Sequence, residues 1–439
     1  MLVVTSRLPK RNDMTTKEKS SLLPLLAVNF VGTLGFSIVT PFLVVLVANW
    51  GGNAVVYGVL AATYSFFQLF GAPILGRWSD RIGRRKVLLL SQAGTLLSWG
   101  IFLVAFTLPL VELASINNRF LGDFAITLPL LILFVARAAD GLTGGNVSVS
   151  NAYLADISSE QNRSKNYGQM AVSSNLGYIV GPAMAGLLGA TILGEILPVA
   201  LAFVISAVAL LLIQFGLHEV APAPINAHVE TPSACDVYGH ETKRSYQLDC
   251  EQVAGTAALF RLPNMKGLMS INFAVLMGFS FFYAAFPIHA VVNLTWSVFE
   301  IGIYFAFLSL IMIAVQGPVL AWASGRYAET TLMAVGGVAL AAGFLALTSD
   351  TPAVIYLSAA LIALGNGLMW PTFMSVLSKS AGDRMQGAVQ GYATSLGAVA
   401  SIIGLVGGGI AYVQIGATIF VVAALAILLG AAISLAIKT

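Results

Sequence analysis

The sequence predicts an all-α membrane protein in which twelve transmembrane helices form two pseudo-symmetric six-helix bundles. Three observations support this fold class. Hydrophobic residues make up 58% of the 439-residue chain and charged residues only 9%, a balance that one soluble core with a polar surface cannot accommodate. Twelve apolar runs are long enough to cross a membrane. The last six runs repeat residue patterns of the first six, which indicates two related halves.

Apolar runs of about 20 residues cross a hydrocarbon core that is about 30 Å thick. Each run is predicted to be helical, because a helix satisfies its own backbone hydrogen bonds in lipid. The twelve predicted spans cover residues 21–48, 56–77, 86–109, 124–148, 165–190, 194–217, 265–291, 298–323, 330–348, 352–377, 386–411 and 413–437. The predicted segments are a cytoplasmic tail (1–20), a first bundle (21–217), a cytoplasmic linker (218–264) and a second bundle (265–439).

Lysine and arginine residues predict how the chain is oriented, because they concentrate in cytoplasmic loops. Five lie in the tail and five between predicted spans 2 and 3, whereas the loops of the opposite side carry only Arg119. Both termini and the linker are therefore predicted to face the cytoplasm. Residues 1–20 lack the apolar core of a cleavable signal peptide. The short loops favour a bacterial inner (plasma) membrane as the location.

The two halves repeat each other at nearly constant offsets. Predicted span 1 reads N-F-x-x-x-x-G-F-S over residues 29–37, and predicted span 7 repeats this pattern over residues 272–280. The glycines of predicted spans 5 and 11 also correspond, in the pairs Gly168 and Gly391, Gly181 and Gly404, and Gly186 and Gly409. Parallel halves of this kind predict a central cavity at their interface and alternating access by rocking of one half against the other.

The polar stretch between predicted spans 2 and 3 reads G-R-W-S-D-R-I-G-R-R-K over residues 76–86. This spacing resembles the loop between helices 2 and 3 of the major facilitator superfamily, a large family of secondary transporters, and implies the fold of that family. It also implies a conformational latch, in which arginines reach acids or helix C-termini at the cytoplasmic face. The alternative is a basic loop that sets only the topology. The implied latch residues are Gly76, Asp80, Arg81, Gly83, Arg84 and, after predicted span 4, Asp156.

Predicted span 5 carries the spacing G-x8-G-x3-G-P-x2-A-G, which resembles the antiporter motif of the drug:proton antiporter branch of this superfamily. Small side chains let another helix approach closely, and a proline permits a kink. The resemblance implies export, and helix packing alone is the alternative. Residues 151–157 also look like the corresponding stretch of tetracycline-type efflux proteins. The motif residues are Gly168, Gly177, Gly181, Pro182 and Gly186, with Ala185 in place of a glycine.

Predicted span 4 places an arginine and an aspartate inside the membrane, where a charged side chain costs about 2.5–3.5 kcal/mol on insertion scales. Arg137 and Asp140 are three residues apart, so one helix face presents both and they can pair. The pattern R-x-x-D-G resembles the R-x-x-q-G pattern of proton-coupled members, which implies that Arg137 takes part in proton transfer. Asp140 is then the predicted proton carrier. The alternative is a neutral pair that only holds helices together.

A cavity between the halves draws its lining from predicted spans 1, 4, 7, 10 and 11. Asn29 stands where tetracycline-type members have an acid, and predicted spans 7 to 12 contain no buried acid. This departure points to neutral, zwitterionic or modestly charged amphipaths rather than to tetracycline. His289 is a second candidate for proton binding, with a hydrogen bond in a helix interface as the alternative. The predicted cavity residues are Asn29, Phe36, Asn272, Tyr283, His289, Trp370 and Gln390.

The remaining polar residues predict no cofactor and no metal site. The linker holds Cys235, Cys250 and three of the four histidines, but their spacings match no compact ligand pattern, so a solvated linker is favoured. A nucleotide-binding loop and a nucleophile–base combination do not occur, which argues against an ATP-driven pump and an enzyme. The formal charge of +3 gives no indication of nucleic acid. The expected partners of the monomer are the lipid bilayer, protons and a small-molecule substrate.

The function that these patterns predict is a proton-coupled antiporter that exports small amphipathic organic compounds, as in multidrug or tetracycline-like efflux, by alternating access. An importer or facilitator of an organic solute on the same fold is the first alternative, and uptake without proton dependence would favour it. A non-transporting receptor or scaffold, with the linker as its binding element, is the second.

Overall fold

The first half contains helices and one β-hairpin. The structure is a computed structural model that describes residues 11–144, 146–157, 163–219, 260, 262 and 264–437. The elements of the first half are α1 (Arg11–Ser37), α2 (Val39–Asn49), α3 (Ala54–Ile82), α4 (Arg84–Ala105), β1 (Glu112–Asn118), β2 (Gly122–Thr127), α5 (Leu128–Thr143), α6 (Asn146–Ile157), α7 (Arg163–Gly189) and α8 (Ile196–Gly216). The two strands pair antiparallel, with Asn118 opposite Gly122.

The second half is helical throughout its described part. Its elements are α9 (Met265–Val292), α10 (Val298–Ala314), a π-helical turn (Val315–Val319), α11 (Leu320–Ser324), α12 (Glu329–Ala346), α13 (Pro352–Ile415), a 3-10 turn (Gly416–Thr418) and α14 (Ile419–Leu435). The π-helical turn contains Pro318, whose missing N–H removes one regular helical hydrogen bond. α10, this turn and α11 together form predicted span 8.

Helices overlap all twelve predicted spans. Within the described residues, eight helical segments are long and apolar enough to cross a membrane, and one of them, Tyr392–Leu435, covers two predicted spans. The three other predicted spans correspond to α1 with α2, to α5 with α6, and to α7. The prediction of a helical membrane protein is confirmed. The domain boundaries stay predictions: α1 begins at Arg11, inside the predicted tail, and residues 220–259 of the predicted linker lie outside the described residues.

Equivalent residues of the sequence repeat make equivalent contacts. In the first half, Asn29 on α1 donates from Nδ2 to the carbonyl of Met170 on α7 at 3.1 Å. In the second half, Asn272 on α9 donates to the carbonyl of Ala393 on α13 at 2.8 Å. The asparagines are 243 residues apart and the acceptors 223, as in the sequence alignment of the halves. These two predicted cavity residues therefore tie helices together within each half.

Glycines repeat in the same way. A Cβ atom at Gly181 would lie 2.0 Å from the hydroxyl of Ser37, and a Cβ atom at Gly404 would lie 2.5 Å from the Cβ of Ser280. Only glycine permits helices to approach this closely without displacing a neighbour. α7 thus packs on α1, and the C-terminal part of α13 packs on α9, through the same small-residue contact.

The halves meet at the end of the bundle where the β-hairpin lies, which we call the hairpin end; the opposite end, with residues 76–86, is the basic end. At the hairpin end, Cβ atoms at Gly186 and Gly409 would lie 3.1 Å and 2.5 Å from the carbonyl oxygens of Phe299 and Ala54. These contacts join α7 to α10 and α13 to α3. They are also related by the repeat, so the interface between the halves is pseudo-symmetric.

The β-hairpin is an element that the sequence analysis missed. Residues 110–123 read as a polar loop, whereas the structure folds Glu112–Asn118 and Gly122–Thr127 into paired strands. The first strand lies outside the predicted spans, but residues 124–127 of the second lie inside predicted span 4, whose helix α5 begins only at Leu128. The short strands of the hairpin alternate too little in polarity to stand out beside the apolar runs.

Predicted spans 10 and 11 both lie within α13, which contains one candidate membrane span at Pro352–Leu377 and the start of another at Tyr392. The 64 residues of α13 would be about 96 Å long if straight, about three times a hydrocarbon core. The chain reverses direction within α13, since Asp350, two residues before the helix, and Tyr412, near its end, both lie beside His289. Nδ1 of His289 lies 3.1 Å from the hydroxyl of Tyr412, and Nε2 lies 3.9 Å from Asp350.

Replacing Gly404 by leucine tests the packing of the second half. The new side chain would enter the space of Ser280, and overpacking of this kind costs about 1–3 kcal/mol. We expect the Gly404→Leu protein to unfold at a clearly lower temperature in detergent, as followed by circular dichroism. The matched control is Gly32→Ala on α1, because no atom lies within 4 Å of the added Cβ. Equal melting temperatures for both variants would contradict the packing.

Candidate functional site

Arg137 and Asp140 form the ion pair that their spacing predicts. Their Nη1 and Oδ2 atoms are 3.5 Å apart, and the two side chains are 9% and 13% exposed. Thr95 on α4 lies beside the Asp140 carboxylate. A small cavity beside the pair is lined by Ser98, Trp99, Phe102 and Ala136. The pair therefore lies inside the first half, between α3, α4 and α5.

The guanidinium of Arg137 has an aromatic partner and an unused donor. Its Cζ atom lies 4.8 Å from the ring centroid of Tyr64, which is cation–π geometry. Its Nε atom is buried and has no hydrogen-bond partner within the described part of the chain. A buried donor without a partner costs about 1–3 kcal/mol. Arg137 is therefore able to bind an acceptor in addition to Asp140.

Close backbone contacts fix the position of this pair. A Cβ atom at Gly141 would lie 2.4 Å from the carbonyl oxygen of Tyr64, and a Cβ atom at Gly71 would lie 2.1 Å from that of Leu142. α3 and α5 thus touch backbone to backbone beside Asp140. Since both helices are held at this distance, the height of the ion pair relative to Tyr64 is set by packing.

The helix that carries the pair breaks one turn after Asp140. α5 ends at Thr143 and α6 begins at Asn146, so predicted span 4 is two helices. Gln68 on α3 binds the carbonyl of Gly144 at the break through Nε2 at 2.9 Å, and the hydroxyl of Tyr64 at 3.0 Å. Glycine has low helix propensity, and a side-chain donor satisfies the freed carbonyl. The break brings irregular backbone next to the charge pair.

Four tyrosines, here called the tyrosine group, connect the ion pair with the second half. Tyr57 and Tyr64 lie on α3, Tyr178 on α7 and Tyr283 on α9. The phenol groups of Tyr64 and Tyr178, of Tyr178 and Tyr283, and of Tyr283 and Tyr57 lie near one another. Tyr178 and Tyr283 belong to different halves and lie near each other, yet they are 47% and 42% exposed, which indicates open space between the halves beside them. The ring of Tyr283 stacks on Phe305, with centroids 6.2 Å apart and planes 8° apart.

The other predicted cavity residues lie elsewhere. His289 is buried at the hairpin end, between the rings of Tyr412 and Phe420. Trp370 is half-buried and its ring centroid lies 5.4 Å from that of Phe373. The side chains of Phe36 and Gln390 lie outside the described part of the structure. Of the described residues in this set, Tyr283 joins the tyrosine group, and Asn29 and Asn272 hold helices together.

The small face of predicted span 5 packs first within its half and then across the interface. Cβ atoms at Gly177 and Gly181 would lie 2.9 Å and 3.0 Å from backbone atoms of Leu34 on α1. A Cβ atom at Gly302 of the second half would lie 2.7 Å from the carbonyl of Pro182 and from Cα of Gly186, one turn further along α7. The surroundings of Gly168 are not described. The spacing therefore serves helix packing, and its role in export stays a prediction.

The stretch 76–86, which we call the basic loop, comprises the end of α3, Gly83 and the start of α4, and it ties α4 to α8. Gly83 joins α3 to α4 with φ of 108°, a conformation that glycine adopts readily. Glu219, just after α8, accepts a hydrogen bond at Oε1 from the N–H of Arg85 at 3.1 Å. The guanidinium of Arg85 donates to the carbonyl of Ile213, at the end of α8, at 3.3 Å. The negative charge of Glu219 thus lies at the N-terminus of α4, and the positive charge of Arg85 lies at the C-terminus of α8; the helix dipole favours both positions.

These contacts differ from the predicted latch. Arg84 bonds to Ser79 within the loop, Arg81 is exposed, and no atom lies within 4 Å of a Cβ atom placed on Gly76. The side chains of Asp80 and Asp156 lie outside the described part. Arg85, which the sequence analysis did not choose, reaches the helix C-terminus. Its contacts stay within the first half, so a latch between the halves stays a prediction.

Metal binding finds no support in the described residues. No group of three or more histidine, cysteine, aspartate and glutamate side chains there is arranged to hold an ion. Cys235 and Cys250 lie outside the described residues.

Family membership follows from comparison with known proteins. The sequence profile of the Major Facilitator Superfamily matches residues 25–405. The chain belongs to the Major Facilitator Superfamily. The resemblance seen at the basic loop and in predicted span 5 is thereby confirmed. The protein is a multi-pass membrane transporter of this superfamily, with a small-molecule substrate, and not an enzyme.

Curated relatives of this Major Facilitator Superfamily chain come from bacteria and mammals. It is 28% identical to the class E tetracycline resistance protein of Escherichia coli over 387 residues, which are 88% of this chain and 86% of that protein. It is also 28% identical to Major facilitator superfamily domain-containing protein 10 of Bos taurus over 378 residues, 84% of this chain and 75% of that protein.

Solved structures share its fold. The human organic anion transporter MFSD10 (TETRAN) aligns with a TM-score of 0.63 at 22% identity, over 95% of this chain and 99% of that one. A D-xylose-proton symporter aligns with a TM-score of 0.72 at 14% identity, over 96% and 98%. The predicted fold, with two pseudo-symmetric six-helix bundles, is confirmed.

Sequence reasoning missed Tyr57, Tyr64 and Tyr178 in this superfamily member. Tyr57 and Tyr64 are seven residues apart, two helical turns, and so share one face of α3. Two tyrosines on one face of a predicted membrane helix, next to a glycine-rich helix, could have indicated a polar aromatic lining. Tyr178 lies between Gly177 and Gly181, at a position that the antiporter spacing leaves variable, so the motif did not predict a role for it.

Alanine at Gly83 tests the geometry of the basic loop. The φ of 108° is unfavourable for alanine, and the added Cβ would lie 2.4 Å from Glu219; strain of this kind costs roughly 1–3 kcal/mol. We expect Gly83→Ala to lower the melting temperature in detergent. Gly76→Ala is the matched control, since it adds the same methyl group seven residues away in open space. A Gly83→Ala protein as stable as Gly76→Ala would contradict the geometry.

Proposed function

We propose that this transporter is a proton-coupled antiporter that exports small amphipathic organic compounds. The observation that carries the proposal is the buried ion pair of Arg137 and Asp140, which adjoins the tyrosine group and the open space between the halves. Ionisable groups inside a membrane are costly and commonly mark proton or substrate pathways. Here the carboxylate of Asp140, the guanidinium of Arg137 and tyrosine side chains from both halves lie close together.

Coupling follows from the charge balance of the pair. With Asp140 ionised, the pair is neutral overall and its carboxylate can accept hydrogen bonds from a neutral or cationic substrate. When Asp140 takes up a proton, the charge of Arg137 loses its partner in a low-dielectric site, which disfavours a cationic substrate. Substrate and proton then bind best to different charge states of one site. Competition of this kind is the thermodynamic basis of antiport.

The tyrosine group favours an aromatic or amphipathic substrate. Tyr178 and Tyr283 offer ring faces and hydroxyl groups to the space between the halves, and Phe305 supports the ring of Tyr283. Aromatic rings provide large apolar contact area, and their hydroxyl groups orient polar substituents. The similarity to tetracycline resistance proteins supports a polycyclic compound with several polar groups.

The orientation belongs to the proposal. The basic end carries five of the lysine and arginine residues, at the end of α3 and the start of α4, and therefore faces the cytoplasm. The hairpin end, where the halves meet, then faces outward in a bacterial inner membrane. We expect the protein to act as a monomer, because its cavity is complete within one chain.

A second candidate function is import of an organic anion together with a proton. The unpartnered Nε of Arg137 favours it, since an anionic group could bind there. In this case a proton on Asp140 would free Arg137 for the anion, so substrate and proton would bind together. The sequence similarity to Major facilitator superfamily domain-containing protein 10 of Bos taurus and the shared fold of the human organic anion transporter MFSD10 support this candidate.

The substitution Asp140→Asn separates these functions in proteoliposomes with an acidic lumen. The probes are tetracycline, ethidium as an organic cation and fluorescein as an organic anion. We expect the unmodified protein to accumulate tetracycline or ethidium against its gradient, and Asp140→Asn to reduce this accumulation about 5- to 150-fold, the usual range of a coupling free energy. Exchange of the same probe without a pH gradient should persist in the variant.

Asp123→Asn in β2 is the matched control, because its side chain is exposed. Full accumulation by Asp140→Asn would leave the ion pair with a structural role and disprove coupling at this site. Outward transport of preloaded fluorescein together with protons from the acidic lumen would establish the second candidate instead.

Removing the ring of Tyr283 tests the substrate site. Loss of aromatic contact should raise KM for the transported probe about two- to tenfold, the size of an aromatic pair interaction, with a smaller change in the maximal rate. Tyr283→Phe should keep most of the affinity, because the ring remains. Tyr327→Ala, at the basic end of the second half, is the control and should leave KM unchanged. An unchanged KM in Tyr283→Ala would place the substrate elsewhere.

A further inference from the structure

The β-hairpin is anchored to the first half by its strands. The N–H of Ala125 donates to the carbonyl of Gly51 at 2.8 Å, and the hydroxyl of Thr127 donates to the carbonyl of Trp50 at 2.9 Å. Asn53 donates from Nδ2 to the carbonyl of Leu121 at 2.8 Å. The same asparagine accepts at Oδ1 from two N–H groups at the start of α3. The hairpin therefore moves with the first half.

The turn of the hairpin reaches the second half. Gln414, near the end of α13, donates from Nε2 to the carbonyl of Arg119 at 2.9 Å and to that of Phe120 at 2.6 Å. Gly122 has a φ of 75°, and a Cβ atom on it would lie 2.9 Å from Cγ1 of Val413. Glycine at this position lets the turn lie against α13. One side chain thus bridges elements that belong to different halves.

We propose that this hairpin is a clasp that favours the state in which the hairpin end is closed. The inference rests on alternating access, as in the proposed function. The bridge lies at the same end as the contacts of Gly186 and Gly409 between the halves. Rocking that opens this end must withdraw Gln414 from the turn, because the strands keep the turn on the first half.

The clasp is weak enough to open in each cycle. Gln414 is exposed, so water replaces its hydrogen bonds when the halves separate. Exchange of such bonds with water leaves only a small net contribution for each. The clasp therefore shifts the balance between open and closed states and does not lock it. Both acceptors are backbone carbonyls, so the side chain at position 414 supplies the donor on which the bridge depends.

Distances between the halves test the clasp without any substrate, so the outcome is independent of whether the transport proposal holds. Spin labels are placed at the hairpin end through Thr107→Cys and Thr348→Cys, with Cys235→Ser and Cys250→Ser removing the native thiols. Both label sites are exposed and lie in opposite halves. Double electron–electron resonance in lipid nanodiscs then reports the ratio of the long (open) to the short (closed) distance.

Position 414 is varied in this background. Gln414→Ala should raise the open-to-closed ratio about three- to tenfold, as loss of one or two weak hydrogen bonds implies. Gln414→Glu replaces a donor by an acceptor facing two carbonyl oxygens, and should raise the ratio at least as much. Gln414→Lys restores a donor and should keep the ratio of the unmodified protein. Ser349→Ala is the control, because Ser349 bonds within its own half.

Two results would overturn the clasp. Unchanged distances in both Gln414→Ala and Gln414→Glu would show that the bridge contributes nothing to closure. Equal shifts in Gln414→Glu and Gln414→Lys would show that the effect arises from side-chain packing and not from the donor.

Discussion

Close approach of helix backbones is the constraint on which the rest of this structure depends. In lipid there is no hydrophobic force between helices, so packing contacts and hydrogen bonds must hold them together. Gly181 and Gly404 allow this approach inside each half, and Gly186 and Gly409 allow it between the halves. The position of the ion pair in α5 also depends on a glycine contact, because Gly141 lets α5 lie against the backbone of α3. A larger side chain at these positions would separate the helices that form the site.

The symmetry of the scaffold contrasts with the asymmetry of its chemistry. Asn366 occupies the position in the second half that corresponds to Asp140, and its Nδ2 lies 3.6 Å from the sulfur of Met312. A neutral amide there replaces the acid. The β-hairpin likewise belongs to the first half alone among the described elements. Two similar bundles thus supply a symmetric interface, and the first bundle supplies the charge pair and the bridge across the hairpin end.

The first half is also tied internally at the basic end, where Arg85 and Glu219 join α4 and α8. Tyr153 on α6 donates to the carbonyl of His218 at 2.7 Å and fixes the chain that follows α8. Contacts inside a half are thus distributed over both ends, whereas the glycine contacts between the halves lie at the hairpin end. This distribution suits motion of each half as a unit.

The sequence by itself determined the spans, the two-fold repeat and the spacing of Arg137 and Asp140, because hydrophobicity and helical periodicity are local properties. It also determined which residues would be equivalent, and the contacts of Asn29 and Asn272 follow that equivalence. Tertiary structure decided which polar side chains face the space between the halves. Tyr283 does so and His289 does not, since rotation of a helix about its axis depends on its neighbours. The bridge from Gln414 to the hairpin joins residues almost 300 positions apart, so only the folded chain could bring them together.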